Sequence, residues 1–127
     1  MKRNKFKNIV LSGGGHIGFS QIGLLYYLIE KKKLNIKNIK NIYCTSIGSL
    51  VAIMFILNYE KNVLFDYLIN KPWEKFLKIN INNFLDYNNN KGLIGPHIFD
   101  EILISLLLGK DIKKDVTLKE FYDLNKI

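Results

Sequence analysis

The sequence predicts an α/β protein with a parallel sheet, and two similar segments carry this prediction. The first is a short apolar strand, Asn8–Ser12, that enters a glycine-rich turn and then a helix. The second is a strand formed by Ile39, Ile42 and Tyr43, followed by the sequence CTSIGS and another helix. Their separation of about 30 residues fits the crossover that joins parallel strands. Because two such strands are not stable alone, we expect the N-terminal portion of a larger domain with an incomplete sheet.

The first strand and the helix after it are both strongly apolar. Ile9–Leu11 is apolar throughout, which is typical of a parallel strand covered on both faces. A helix is predicted over His16–Lys33, where apolar residues recur at spacings of three and four: Phe19, Ile22, Leu25, Tyr26 and Ile29. Its other face also carries Leu24, Tyr27 and Leu28, so we expect this helix to be largely buried.

The remaining chain is predicted to be mostly helical. Ile47–Asn58 is apolar nearly all round and predicts a central core helix. Further helices are expected over residues 61–70 and in a short piece that begins at Pro72. Another helix is expected over Ile98–Leu108, with Pro96 at the first helical position and Gly109 as the stop. An Asn-rich loop is expected at Asn80–Asn90, and Thr117 with Glu120 predicts a capping box that opens a last helix. We divide the chain into a basic stub, 1–7, and one domain, 8–127.

The excess positive charge is confined to the first third of the chain. Residues 1–40 hold nine Lys or Arg against the single acid Glu30, whereas residues 41–127 hold ten of each sign. One explanation of this lysine content is A/T-rich codon usage. The alternative is a functional basic surface, and the partner that such a surface would suit is an anionic membrane. No nucleic acid is expected, because no recognition motif or aromatic interleaving is present.

The single Cys44 rules out an internal disulfide and predicts a reducing, cytoplasmic location, with any membrane association peripheral. Asn41–Tyr59 is 19 residues long and uncharged. Its apolar core, Leu50–Leu57, is nevertheless too short to cross a bilayer.

The glycine turn, GGGHIG at residues 13–18, has two functional interpretations. Its spacing matches the dinucleotide-binding fingerprint, but the second strand ends without the acid that would hold the ribose hydroxyls. The amides of Gly13, Gly14 and Gly15 are instead suited to an oxyanion, at a helix N-terminus that favours negative charge. A plain turn remains the alternative.

Ser46 lies where a strand turns into a helix, as the nucleophile of an elbow does. Gly48 leaves room for the close approach of a neighbouring strand, which such an elbow requires. The alternative is a serine that only caps the helix.

In these motifs the chain resembles the patatin-like phospholipases. They begin with a strand, a G-G-G-x-x-G loop, a helix and a second strand ending in G-T-S-x-G. The matching positions are Gly13, Gly14, Gly15, Gly18, Thr45, Ser46 and Gly48. The resemblance implies a three-layer α/β/α fold, hydrolysis of lipid acyl esters by a Ser–Asp dyad, and no metal or cofactor.

Three departures from the family pattern are present. Cys44 replaces a glycine, and Ile17 stands where many members carry Arg or Lys. The family's catalytic Asp is followed by Gly, which is true of none of the six here: Asp66, Asp86, Asp100, Asp111, Asp115 and Asp123. We therefore expect the catalytic Asp to be missing from this chain.

Other candidates have less support. Ser46, Asp86 and His97 keep the chain order of an α/β-hydrolase triad, and His16 and Cys44 are a possible oxyanion donor and nucleophile. No metal site is expected. Two functions follow: a lipid acyl hydrolase with Ser46 as nucleophile, or an inactive truncated remnant that binds a membrane or a partner chain completing the sheet.

Overall fold

The structure is a computed structural model that describes residues 6–73 and 97–127, and only the backbone at residues 97 and 98. Within these residues lie two strands, β1 (Asn8–Leu11) and β2 (Asn41–Cys44), and two short 3-10 helices, Gly15–Phe19 and Ile36–Asn38. The α-helices of the same residues are α1 (Ser20–Glu30), α2 (Ile47–Ile56), α3 (Lys61–Asn70), α4 (His97–Leu108) and α5 (Leu118–Asn125). The predicted α/β class is confirmed.

The two strands pair in parallel, in a register that aligns their carboxyl ends. Asn8 pairs with Asn41 and Leu11 pairs with Cys44. The Asn41 Nδ2 group donates to Asn8 Oδ1 at 2.9 Å, so the start of the register is also held by side chains. Because both strands end at the same level, the turns that follow them are brought side by side.

The chain divides into two compact units, and the division falls inside α3, after Leu64. The first unit is Met1–Leu64 with Asp115–Ile127. Its core is dominated by α2, as the sequence predicts: Leu50, Val51, Ala52, Met54 and Phe55 are all buried.

The second unit is Phe65–Lys114. In its described part, α4 buries Ile102, Leu106 and Leu107. The Tyr67 hydroxyl donates to the Ile102 carbonyl at 3.2 Å and joins the end of α3 to α4. The predicted helical piece beyond Trp73, the loop Asn80–Asn90 and Pro96 lie outside the described residues.

The expectations that β1 is covered on both faces and that α1 is largely buried are wrong for the described residues. Val10 and its register partner Tyr43 are 77% and 60% exposed, so these two residues lie on a face of the sheet that the described part of the chain does not cover. On α1 the face with Ile22 and Leu25 is buried, whereas Leu24 is 58% exposed. Tyr27, on the same outer face, is also exposed, because the core contacts only one side of this helix in the described structure.

The helix after β1 is shorter than predicted, and it begins and ends differently. It opens with the 3-10 turn, and the α-helix ends at Glu30 rather than Lys33. Lys32 adopts a left-handed φ of 54°, and the Lys33 amide donates to the Leu28 carbonyl at 2.9 Å. This is a Schellman closure in which a lysine takes the position that glycine usually occupies.

The end of α4 and the start of α5 both lie where the sequence predicts them. The predicted end of α4 is confirmed, because the helix ends at Leu108, directly before Gly109. The left-handed residue after it is Asp111, with φ of 56°. The capping box of α5 is confirmed: the Glu120 amide donates to Thr117 Oγ1 at 3.2 Å, and the Thr117 amide donates to Glu120 Oε2 at 2.8 Å. None of the helices in the described part is both long and apolar enough to cross a membrane.

Candidate active site

Ser46 lies between β2 and α2 in a backbone conformation that is rare for any residue except glycine. Its φ is 52° and its ψ is −128°. Such a conformation costs about 1–3 kcal/mol and persists where the surrounding structure imposes it. The residue is exposed, and its side chain makes no capping hydrogen bond to α2. The strained serine therefore does not act as a helix cap, and its hydroxyl is presented at the turn.

Contacts with the end of β1 impose this turn. The Thr45 amide donates to the Leu11 carbonyl at 3.2 Å, and the Gly48 amide donates to the Thr45 carbonyl at 2.9 Å. A Cβ on Gly48 would lie only 2.6 Å from the Leu11 oxygen and 3.0 Å from the Ser12 oxygen. Only glycine fits there, and its absence of a side chain lets α2 start directly against β1.

The glycine turn lies beside the turn that contains Ser46. A Cβ on Gly13 would be 3.3 Å from the Ser46 Cβ, which makes the two residues direct neighbours. Gly15 has φ of 55° and supplies the left-handed step that starts the 3-10 helix. Gly18 is buried against Ile47, whose side chain would collide with any Cβ at that position.

The amides of this turn are not consumed by the fold. Within residues 6–73 and 97–127, no hydrogen bond leads from the Gly13 or Gly14 amide to an acceptor. Gly14 and Gly15 are exposed, and Gly13 is partly buried. Amide groups in this state, next to a strained and exposed serine, are what stabilisation of a tetrahedral oxyanion needs.

Gln21 is a site residue that the sequence analysis missed. Its side-chain amide accepts from the Ser12 amide (Oε1, 3.1 Å) and donates from Nε2 to the Ser12 carbonyl at 2.9 Å. The same Nε2 donates to the Gly18 carbonyl at 3.1 Å. The available signal was a lone polar amide near the start of an apolar helix, three residues after the last glycine of the turn.

The proton acceptor for Ser46 is not found in the described parts of the chain. There the Ser46 hydroxyl makes no hydrogen bond to a carboxylate or an imidazole. His16 and Cys44 are exposed. Asp86 and the side chain of His97, which share the order of a hydrolase triad with Ser46, lie outside what the structure describes.

Among the residues that the structure describes, no three His, Cys, Asp or Glu side chains come close enough together to hold a metal ion.

The basic run Lys31–Lys33 is exposed at the end of α1. The Lys31 ammonium lies 5.6 Å from the centre of the Tyr27 ring, close enough for a cation–π contact. Glu30 is the single acidic residue in the sequence of residues 1–40, and it forms an ion pair with Lys61, with 2.8 Å between Glu30 Oε1 and Lys61 Nζ.

The chain is similar to one family of known proteins, over a stretch that includes both the glycine turn and Ser46. The model of the patatin-like phospholipase family matches residues 9–124, which is most of the chain. An uncharacterized protein of Acanthamoeba polyphaga mimivirus is 36% identical over 60 residues, 47% of this chain and 20% of the viral protein. The match thus spans a fifth of that relative. No solved structure matches the chain.

Proposed function

The chain belongs to the patatin-like phospholipase family, and on that premise we propose that it is a serine-dependent lipid acyl hydrolase, a phospholipase or esterase. The observation that carries the proposal is the proximity of Gly13 to Ser46, because it brings an exposed serine in a strained turn next to a glycine turn with free amides. A nucleophile and an oxyanion site must be neighbours for acyl transfer to occur.

In the proposed reaction the Ser46 Oγ attacks the acyl carbonyl of a lipid ester and gives up its proton. The amides of Gly13, Gly14 and Gly15 stabilise the oxyanion that forms on the carbonyl oxygen. Collapse of this intermediate passes the proton from the acceptor to the departing oxygen, expels the alcohol and leaves an acyl-enzyme. Water then hydrolyses the acyl-enzyme, which releases the fatty acid and restores the Ser46 hydroxyl. Gly18, Thr45 and Gly48 shape the two turns and take no part in bond making.

The proton acceptor in this proposal is an Asp, as the family resemblance implies. We place it outside the described residues, because no described carboxylate is hydrogen-bonded to Ser46. The mechanism needs a carboxylate within hydrogen-bond reach of the Ser46 hydroxyl when substrate is bound.

Labelling with a fluorophosphonate tests the nucleophile directly, since this reagent phosphonylates activated serines. The full chain is treated with the probe, digested and mapped by mass spectrometry. We expect one modified peptide, with the phosphonyl group on Ser46. A label found on another residue, or none on the folded protein, contradicts the proposal.

A second candidate function is that of an inactive binding module, and a specific observation favours it. The exposed run Lys31–Lys33 provides a surface for anionic lipid headgroups, and the exposed pair Val10 and Tyr43 provides an apolar sheet face for a partner chain. In this case the protein would be cytoplasmic and would bind membranes peripherally.

Vesicle co-sedimentation distinguishes this second candidate. Binding to anionic vesicles that weakens with added salt, together with an absence of ester hydrolysis, supports it. Substitution of all three lysines of Lys31–Lys33 by alanine should then remove the binding. Equal binding to neutral and anionic vesicles excludes the basic run as the binding surface.

A further inference from the structure

Gln21 binds both backbone polar groups of Ser12, the residue directly before the glycine turn. Ser12 offers its amide to Gln21 Oε1 at 3.1 Å and its carbonyl to Gln21 Nε2 at 2.9 Å. A second acceptor, the Gly18 carbonyl, lies 3.1 Å from the same nitrogen. One side-chain amide near the start of α1 therefore links the residue before the three glycines to the last glycine of the turn.

The orientation of the Ser12 carbonyl determines the orientation of the next amide. The peptide bond between Ser12 and Gly13 is planar and trans, so its C=O and N–H groups point in opposite directions. A hydrogen bond from Gln21 to that carbonyl therefore directs the Gly13 N–H away from Gln21. Glycine residues impose few conformational limits of their own. The orientation of this peptide plane therefore depends on the hydrogen bonds between Gln21 and Ser12, which we call the clamp.

The clamp acts next to the proposed nucleophile. Gly13 is the glycine of the turn whose Cβ position lies 3.3 Å from the Ser46 Cβ. A rotation of the Ser12–Gly13 peptide would turn the Gly13 N–H without moving Ser46. The distance between this donor and the oxyanion would then change, and catalysis depends steeply on such distances.

We propose that Gln21 is a positioning residue for the oxyanion site, which it serves by fixing the Ser12–Gly13 peptide plane. The inference rests on the proposed function of Ser46. It goes beyond the glycine and serine motifs because it assigns a role to a residue of α1 that contacts neither the substrate nor the reacting atoms.

Two substitutions separate the functions of the side chain. Gln21→Met keeps the length and loses all three hydrogen bonds. Gln21→Glu keeps an acceptor for the Ser12 amide but loses the donor to the Ser12 and Gly18 carbonyls. Asn35→Ala is the matched control, because Asn35 also accepts from a backbone amide, that of Lys37 at 3.0 Å, in a turn that is not part of the site.

Three measurements are made on the full chain and on each variant: hydrogen exchange of the Ser12 amide, the rate of fluorophosphonate labelling at Ser46, and kcat and KM for an ester substrate. In Gln21→Met we expect faster exchange at Ser12 and a fall of about 10–100-fold in kcat and in labelling rate, because an oxyanion donor is displaced rather than removed. KM should change by less than about 2-fold, as expected when an interaction with the transition state is lost. Gln21→Glu should retain slow exchange at Ser12 and still lose kcat, and Asn35→Ala should match the wild type.

Each contrary result has its own meaning. If the Ser12 amide exchanges freely in the wild type, or if kcat is unchanged in a folded Gln21→Met or Gln21→Glu protein, the positioning role is overturned. If Gln21→Met does not fold, Gln21→Glu decides the question by the same kcat criterion. If the wild type neither labels nor hydrolyses esters, the proposed function of Ser46 fails, and the catalytic role of Gln21 fails with it, whereas the exchange measurement still reports on the clamp.

Discussion

Gly13 and Ser46 are direct neighbours at the carboxyl ends of the two strands, with only 3.3 Å between the Ser46 Cβ and the position a Cβ would take on Gly13. They are 33 positions apart in the sequence. The parallel register, in which Leu11 pairs with Cys44, brings the two turns together. The proposed site is therefore a product of strand pairing, and its sensitivity to substitution should reflect that origin.

Replacement of the proposed nucleophile should abolish turnover. We expect Ser46→Ala to lower kcat for ester hydrolysis by at least about 10³-fold, because a covalent mechanism has no substitute for the attacking oxygen. The measurement is steady-state hydrolysis of a chromogenic ester and of a phospholipid. Ser49→Ala, one turn along α2, is the control and should retain activity. Hydrolysis that survives in Ser46→Ala would move the active site elsewhere.

The backbone strain at Ser46 should be visible as a stability gain when it is relieved. Glycine adopts positive φ without a steric penalty, so we expect Ser46→Gly to be more stable than Ser46→Ala by about 1 kcal/mol. Both variants lack the hydroxyl, so their difference isolates the backbone term. Chemical denaturation monitored by circular dichroism gives the two free energies of unfolding. Equal stabilities would mean that the turn relaxes in solution.

Two glycines that look alike in the sequence should respond in opposite ways to alanine. In Gly48→Ala the new Cβ would lie 2.6 Å from the Leu11 oxygen, and we expect a loss of about 1–3 kcal/mol of stability through overpacking. Gly23 lies within α1 and has no atom within 4 Å of its Cβ position. Gly23→Ala should therefore stabilise the protein by about 0.5–1 kcal/mol. Thermal and urea denaturation of the pair test this, and destabilisation of both would contradict it.

Tyr26 should make stability depend on pH in the alkaline range. Burial raises the pKa of its phenol above the usual 10.0, because the ionised form is poorly solvated inside the core. The folded state thus binds more protons than the unfolded state above this pH. The contribution of the Tyr26 phenol to the free energy of unfolding is fully present below pH 10, and it is lost as pH rises from there through the folded-state pKa.

The variant that checks this is Tyr26→Phe, in which the free energy of unfolding should fall less steeply above pH 10 than in the wild type. Urea denaturation at a series of alkaline pH values supplies the comparison. Tyr43→Phe serves as the control, since Tyr43 is 60% exposed, and it should follow the wild-type curve. A Tyr26→Phe curve parallel to that of the wild type would exclude Tyr26 as the source.

Most of the secondary structure could be predicted because its causes are local. The apolar character of Ile47–Ile56 is a property of consecutive residues, as is the capping pair Thr117 and Glu120. The end of α1 could not be predicted, because Lys32 carries the left-handed step without being a glycine. A non-glycine residue at such a step has no sequence signature that separates it from its neighbours.

The exposed surface was predicted less well than the core. The sequence predicts that Val10 is covered, whereas its side chain is 77% exposed. An apolar residue is compatible with either environment, and its burial depends on which elements lie against the strand. That information is not contained in the strand itself.

The sequence by itself determined the order of the parts: a strand, a glycine turn, a helix, a strand and a serine turn, each readable from a few neighbouring residues. Only the tertiary structure decided that Gly13 lies beside Ser46 and that Gln21 holds Ser12. It also revealed the strained φ of 52° at Ser46, which contacts with the end of β1 impose. The physical reason is that composition and periodicity report local preferences. A donor's direction and a strained dihedral are instead imposed by residues distant in the chain.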